Sequence, residues 1–282
     1  MNETWVPRVP LGDWIEAALD WLTTVLSGLT RAISEVLKIG VDGMVDGLLL
    51  LPPTVLIVLI AGVAWLFAGR KVAIGSLLGL LFILSMGLWE ATVGTISLVL
   101  IATALAIAIG VPLGIWGALN DTFFKIIKPV LDFMQTMPAF VYLIPAIPFF
   151  GLGAVSAIFA TVIFSIPPAI RLTSLGIRQI DEELIEASDA FGSTTMQKLM
   201  KVQMPMAMPT IMAGVNQTIM LALSMAVIAA MIGAGGLGGE VWRAIQRLRP
   251  GAGFEAGIAV VIVAMILDRI TQSITSDPNR TK

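Results

Sequence analysis

The chain has no cysteine and no histidine, and these two absences remove several kinds of chemistry. Disulfides, thiolate nucleophiles, imidazole bases and the commonest zinc ligands are excluded. The G-x-x-x-x-G-K-[ST] phosphate loop is also missing, so the chain has no ATPase site of its own. A net charge of −2 argues against nucleic-acid binding, which requires a basic face. We expect no catalytic residue, no metal site and no cofactor bound by this chain.

Charged residues are scarce, and this scarcity indicates the class of protein. Only 13% of the 282 residues are charged, whereas 57% are hydrophobic. A soluble domain would carry about a quarter charged residues. The sequence therefore predicts an all-α protein that crosses the membrane several times. Its first residues, MNETWVPRVPLGDW, have no basic region followed by an apolar core, so they do not predict a cleavable signal peptide.

Residues 1–53 are predicted to form an N-terminal interfacial segment. Between residues 11 and 39, apolar side chains recur at helical spacing, but acids and bases interrupt them too often for a membrane span. This pattern is typical of an amphipathic helix that lies at the membrane surface or packs on the spans. A bracing role is favoured over a scaffold or lipid-sensing role. A connector that contains several glycines, residues 40–53, follows.

The rest of the chain is predicted to contain about seven spans. Residues 54–90 form an accessory hairpin that turns at Arg70-Lys71. Residues 91–275 form the core, in which residues 120–132 form a polar loop, and residues 276–282 form a cytoplasmic tail. The proline-rich run 138–150 has an alternative interpretation as a re-entrant segment. The predicted spans are 54–69, 72–89, 91–119, 138–150, 154–170, 210–232 and 256–274.

The basic residues predict the orientation of the chain. If residues 181–205 lie in the cytoplasm, eleven of the 17 lysines and arginines fall on the inner side. This arrangement places the N-terminus outside and the C-terminus inside. Arg243, Arg247 and Arg249 then lie on the outer side, where a short helix that faces a partner protein would hold them. The nearby run Gly233 to Gly238 satisfies G-x-G-x-x-G. Because it ends a membrane helix and follows no strand, we reject a dinucleotide site.

The longest polar passage inside the apolar sequence predicts a helix–glycine–helix elbow over residues 181–205, called the elbow below. Asp181 is placed to cap its first helix, and Gly192 lies at the helix stop. Thr194 and Gln197 have the spacing of a capping box for a second helix. Pro205 is expected to end or kink that second helix. One face of the first helix would form a docking surface in water; it contains Leu184, Ala187, Ser188 and Phe191.

The elbow resembles the "EAA" loop of ABC importer permeases. Glu-Ala-Ser is followed by three residues, Gly192, nine residues and Val202-x-Met204-Pro205. The family pattern is Glu-Ala-Ala, three residues, Gly, nine residues and Ile-x-Leu-Pro, so three positions depart from it conservatively. The resemblance implies a coupling helix that inserts into a separate ATPase subunit. The implied coupling residues are Glu186, Ala187, Ser188, Phe191, Gly192 and Pro205.

Three further stretches, 131–150, 162–177 and 213–241, are similar to permeases of osmoprotectant importers for glycine betaine and proline. The resemblance implies the type I importer transmembrane fold, with two copies of the chain forming a pathway in the bacterial cytoplasmic membrane. It also implies cytoplasmic ATPase subunits that use ATP and Mg, and an extracellular binding protein, lipid-anchored in some bacteria. ATP hydrolysis by the partner would drive alternating access. Glycine betaine is the expected cargo, with proline or related betaines as further candidates.

Other functions stay open at this point. Choline, carnitine or another quaternary amine is the alternative cargo, because the single tyrosine offers no obvious aromatic cage. A stand-alone secondary carrier would leave the elbow unexplained. The lack of a titrating group in residues 91–119, 133–170 and 202–239 argues against proton coupling. A structural subunit that does not transport is the remaining alternative.

The span after the elbow carries the candidate residues of the translocation pathway. Polar side chains alternate there with unbranched thioethers that could form a pliable gate. Hydrogen bonding between neighbouring helices is the favoured alternative for the polar members. The candidates are Asn216, Gln217, Met220, Ser224 and Met225.

Overall fold

The computed structural model describes residues 9–275, so the predicted tail 276–282 lies outside the described residues. This part of the chain is helical throughout, as the sequence predicts. Its twelve α-helices are α1 (Leu11–Val25), α2 (Ser27–Leu49), α3 (Pro53–Ser85), α4 (Trp89–Leu119), α5 (Asp121–Thr136), α6 (Leu143–Phe150), α7 (Ala154–Arg178), α8 (Glu182–Ala190), α9 (Thr195–Lys198), α10 (Met204–Ala229), α11 (Gly236–Gln246) and α12 (Pro250–Thr275).

The described residues contain fewer candidate spans than predicted. Five helical stretches are long and apolar enough to cross a membrane, and a sixth arises if the bent pair of α5 and residues 139–150 counts as one span. The predicted number of about seven is wrong by this count, which takes Pro53–Ser85 as one stretch. The five stretches are Pro53–Ser85, Trp89–Leu119, Ala154–Arg178, Thr195–Ile232 and Pro250–Ser273.

The first difference lies in α3, where two spans were predicted. Gly69 interrupts this helix with φ 82° and ψ 174°. Leu56 and Leu80, on opposite sides of Gly69, line the same cavity beside α12, although a straight helix would hold them about 36 Å apart. The helix therefore folds back at Gly69. Each arm has about 16 residues and is about 24 Å long, which is short of the roughly 30 Å hydrocarbon core.

The second difference lies between α4 and α7. These helices run in the same direction, since a Cβ on Gly110 would lie 2.8 Å from that of Ala169 and a Cβ on Gly114 would lie 2.6 Å from that of Thr173. The chain between them must therefore return across the bundle. The return path begins with α5, in the region predicted as a polar loop, bends by 112° and continues to Phe150. The predicted span 138–150 is thus only half of this path, because α6 alone is about 12 Å long.

The N-terminal segment forms two helices instead of one helix and a connector. Helix α2 continues to Leu49, through most of the predicted connector. It packs against α4, α6 and α7, and Val41 is buried in this contact. No residue of α1 is buried. The packing of α2 is consistent with the bracing role.

Helices α7 and α10 pack closely at glycines. A Cβ on Gly176 would lie 3.0 Å from that of Thr210, and a Cβ on Gly214 would lie 3.0 Å from that of Leu172. Small residues allow such a close approach between membrane helices. Residue numbers rise along α7 as they fall along α10 at these contacts, so the two helices are antiparallel. The elbow joins their ends.

Candidate coupling site and translocation face

The elbow has the helix–glycine–helix form that the sequence predicts. Helix α8 ends at Ala190, and Gly192 adopts φ 73°. The Gly192 N–H donates to the Asp189 carbonyl over 2.9 Å, and the Ser193 N–H donates to the Ser188 carbonyl over 3.2 Å. These bonds satisfy carbonyls that a helix end leaves open. A residue with a Cβ is disfavoured at a positive φ, so glycine is the natural residue at this turn.

The second helix of the elbow begins with the predicted capping box. The Thr194 N–H donates to Gln197 Oε1 over 2.9 Å, and the Gln197 N–H donates to Thr194 Oγ1 over 3.3 Å. The capping-box prediction is confirmed. Asp181, by contrast, makes no side-chain capping bond at the start of α8, so that predicted cap is wrong.

Polar contacts inside the elbow hold its two helices together. Ser188 Oγ and Ser193 Oγ lie 2.5 Å apart, and Ser193 Oγ also donates to the Ser188 carbonyl over 2.7 Å. The Lys198 ammonium donates to both carboxylate oxygens of Asp189, over 2.7 and 2.8 Å. Ser188 therefore braces the turn from within, although the sequence places it on the docking face. These contacts within the chain fix the shape of the elbow.

The outer surface of the elbow presents apolar side chains to solvent. Phe191 is 93% exposed, and Leu184 is 40% exposed. Glu186 and Ala187 are exposed beside them. Burying a side chain the size of phenylalanine contributes about 1.5–3 kcal/mol, so this surface is suited to a partner protein. Four of the six predicted coupling residues, Glu186, Ala187, Phe191 and Gly192, lie on this surface.

Pro205 does not end the helix that follows the elbow. Residues Thr195–Ile232 form one continuous helical stretch, and the residues just before α10, Leu199–Gln203, form a wider π-helical turn. A proline removes one hydrogen bond from the α-helical ladder, and a π turn accommodates this loss without a break. The predicted helix end at Pro205 is wrong, and the distortion is confined to this turn. The elbow is thereby joined directly to α10.

Two arginines connect the last two turns of α7, next to the elbow, to neighbouring helices. Arg171 forms an ion pair with Asp132 of α5. Arg178 lies 2.7 Å from Asp121, donates to the Gly117 carbonyl over 2.7 Å and lies over the Phe124 ring at 4.6 Å. These contacts join the ends of α4, α5 and α7 beside the elbow.

The pathway candidates on α10 do not share one environment. Gln217 and Ser224 are exposed on one face of the helix, with the half-buried Met220 between them. Ser224 Oγ donates to the Met220 carbonyl over 3.0 Å. Asn216 lies at the edge of this face, and Met225 is fully buried in the core. The exposed face therefore includes Gln217, Met220 and Ser224, whereas Met225 lies away from it.

Asp268 of α12 is a polar residue of the site that the sequence analysis overlooked. Its Oδ1 accepts a hydrogen bond from Asn216 Nδ2 over 3.0 Å and another from Gln272 Nε2 over 2.8 Å. The Asn216 Oδ1 atom is buried and has no hydrogen-bond partner among the described residues. An acidic residue inside an apolar helix is a functional signal in membrane proteins. Because Asp268 and Arg269 are adjacent near the end of the last span, they look like the edge of that span in the sequence.

Comparison with known proteins identifies the family. The family model described as "Binding-protein-dependent transport system inner membrane component" matches residues 110–276. The glycine betaine transport system permease protein OpuAB of Bacillus subtilis is 51% identical over 269 residues, covering 95% of each chain. The glycine betaine/carnitine transport permease protein GbuB of Listeria monocytogenes is 52% identical over 272 residues, covering 95% of this chain and 96% of that one.

The fold is also found in a solved structure. A chain of the MetNI methionine ABC transporter in an inward-facing conformation aligns with a TM-score of 0.56 at 22% identity, covering 65% of this chain and 94% of that one. This likeness concerns the fold alone. The family model and the two permeases establish that the chain belongs to the family of binding-protein-dependent transport system inner membrane components.

Proposed function

We propose that this chain is the translocation subunit of an ATP-driven importer of glycine betaine. The observation that carries the proposal is the identity of about half of all residues, over 95% of both chains, with a glycine betaine permease. Carnitine is the second candidate cargo, because the other similar permease is named for both compounds. Proline and related betaines follow from the sequence resemblance.

The exposed elbow is the proposed contact with a cytoplasmic ATPase subunit that uses ATP and Mg. Phe191 and Leu184 would enter a cleft of that subunit, and Glu186 would contribute its charge beside them. Because the elbow continues into α10 without a break, a displacement of the elbow would move the whole helix. This arrangement supports a role in coupling ATP hydrolysis to alternating access.

A second copy of the chain is the proposed neighbour of the exposed face of α10. Gln217 and Ser224 are exposed there in an otherwise apolar span. Two such faces would enclose a partly polar pathway for a zwitterionic cargo. An extracellular binding protein would deliver the cargo to this pathway.

We further propose that the elbow lies in the cytoplasm, with the N-terminus outside and the C-terminus inside. Lys71, at the turn of α3, and Arg269, near the end of α12, line one cavity. Arg178 lies beside the elbow, at the corresponding end of α7. Clustering of basic residues at one end of the bundle is the pattern of a cytoplasmic side.

The test is uptake of radiolabelled glycine betaine into proteoliposomes. They would contain this chain, the ATPase encoded beside it and the matching binding protein. Glu186→Lys should reduce ATP-dependent uptake at least about tenfold by weakening docking. Glu182→Lys is the matched control, since it makes the same charge change on the same exposed helix outside the motif. Both variants should insert at the wild-type level.

Other outcomes would change the proposal. Uptake that persists without ATP and stops when an ion gradient is dissipated would indicate a secondary carrier. Equal uptake by the wild type and Glu186→Lys would reject the coupling role of the elbow. Uptake of carnitine or choline without glycine betaine would retain the mechanism and replace the cargo.

A further inference from the structure

An apolar groove runs between α11 and α12, and none of its lining residues belongs to the elbow or to α10. Its volume is about 930 Å³, and nearly all of its lining is apolar. Leu248 and Phe254 at its mouth are 87% and 74% exposed. Further lining residues are Ile245, Ile258, Val261 and Met265.

The groove is longer than one leaflet is deep. Its lining on α12 extends from Pro250 to Met265, which corresponds to about 22 Å along a helix. Half of the hydrocarbon core is about 15 Å thick. The groove is therefore long enough to hold the acyl chain of a lipid in one leaflet.

Two arginines lie where the groove begins. Arg249 belongs to the groove lining itself, and Arg247 is two residues away in the turn. Both are exposed, and within the described residues neither forms an ion pair. Arg243, by contrast, pairs with Glu240. The helix dipole favours positive charge at the end of α11, which accounts for Arg243 and Arg247. It does not account for Arg249, which follows the turn.

The turn itself exposes an apolar side chain beside these charges. Leu248 adopts φ 51°, a region that bulky residues rarely occupy. Its flanking residues are Arg247 and Arg249. A guanidinium pair next to an exposed leucine and a long apolar groove complements a phosphate headgroup with an attached acyl chain. Glu255 is the acidic residue of the first turns of α12, and it does not line the groove.

We propose that the α11–α12 groove binds one anionic glycerophospholipid, with its phosphate at Arg247 and Arg249 and an acyl chain along α12. The position of the groove favours a lipid over a second copy of the chain, because the second copy is proposed to lie against the exposed face of α10. Ile262 and Met265 line both this groove and the cavity beneath the α3 hairpin, so the groove belongs to the side of α12 that carries α3. In the orientation proposed above, the lipid belongs to the outer leaflet.

The experiment measures lipids retained by the purified full-length chain. Protein is equilibrated with equimolar phosphatidylglycerol and phosphatidylcholine, passed over a detergent column and analysed by native mass spectrometry. Arg247→Gln with Arg249→Gln should lower retained phosphatidylglycerol about tenfold and leave phosphatidylcholine within about twofold. Arg31→Gln with Lys38→Gln is the control, since it removes two exposed positive charges from α2.

A second variant tests the groove separately from the arginines. A Cβ at Gly257 would meet no atom within 4 Å, so Gly257→Leu fills open space in the groove and should expel both lipids. Gly62→Leu on α3, which is equally unobstructed, is its control. Equal retention of phosphatidylglycerol by the arginine variant and the wild type would overturn the proposal. So would a Gly257→Leu protein that keeps its lipid but loses its dimer, because a second copy would then occupy the groove.

Discussion

The bond between Asn216 and Asp268 offers a sharp test of how movement passes from the elbow into the bundle. It joins α10 to α12 over 3.0 Å. Asn216 lies about 27 Å along the helical stretch from Lys198 of the elbow. Because this stretch is continuous, a displacement of the elbow must either carry α12 along through this bond or break it.

The perturbation is an exchange of the two side chains. Asn216→Asp alone places two carboxylates together, which costs about 4 kcal/mol at a 4 Å separation and an effective dielectric constant of 20. It also removes a hydrogen bond to a charged group, which contributes about 1.5–3 kcal/mol. Asp268→Asn alone keeps an amide pair and should cost about 1 kcal/mol. The double variant restores one amide and one carboxylate, and the amide oxygen then present at position 268 can still accept from Gln272.

The assay combines thermal unfolding in detergent with the ratio of glycine betaine transported to ATP hydrolysed. Asn216→Asp should be the least stable and least coupled variant, and the double variant should recover most of both quantities. Asn216→Ala is the control for simple loss of the side chain. If the double variant is as impaired as Asn216→Asp, the reasoning is refuted, because each residue would then act through other partners.

Two further predictions concern local packing and the elbow turn. Gly114→Val should destabilise the bundle by about 1–3 kcal/mol, because a Cβ there would lie 2.6 Å from that of Thr173. Thermal unfolding measures this effect. No loss of stability would argue against the close packing of α4 and α7. Gly192→Val should cost about 1–2 kcal/mol at φ 73°, whereas Gly192→Asn should be tolerated. Equal ATPase coupling in the two Gly192 variants would contradict the role of this turn.

The parts of the elbow that were predicted correctly depend on residues close in sequence. The bonds between Thr194 and Gln197 span three residues, and the turn at Gly192 depends on the chain's own conformation. The helix end expected at Pro205 was wrong because the effect of this proline depends on the turn before it, and the sequence does not distinguish an α-helical turn from a π-helical turn here. A proline does not end a helix when a π-helical turn precedes it and accommodates the missing hydrogen bond.

The errors outside the elbow come from contacts between distant residues. Asp132 was read as part of a polar loop, but it pairs with Arg171, 39 residues away. Helix α5 therefore carries charge on the face that meets α7 and contributes Leu131 to the buried core. The number of charged residues along the sequence does not distinguish such a helix from a polar loop. The bond from Asn216 to Asp268 was overlooked for the same reason, since its partners are 52 residues apart.

The packing of the helices indicates which ones move together. The elbow joins α7 to α10, and these two helices touch so closely at Gly176 and Gly214 that a pull on the elbow cannot easily separate them. The contact of α10 with α12 includes the hydrogen bond between Asn216 and Asp268, which can break and re-form when the two helices move. We therefore expect α7 and α10 to move as one unit relative to α12 during transport.

The absence of native cysteine makes this expectation directly testable by cross-linking. A disulfide between Gly176→Cys and Thr210→Cys should leave ATP-driven uptake largely intact, because it joins two helices that already move together. A short thiol-reactive linker between Asn216→Cys and Asp268→Cys should abolish uptake, and cleavage of the linker by reductant should restore it. The single-cysteine proteins treated with the same reagents are the controls. If the first cross-link blocks transport and the second does not, α7 and α10 must slide past each other, and the elbow would then act by separating these helices.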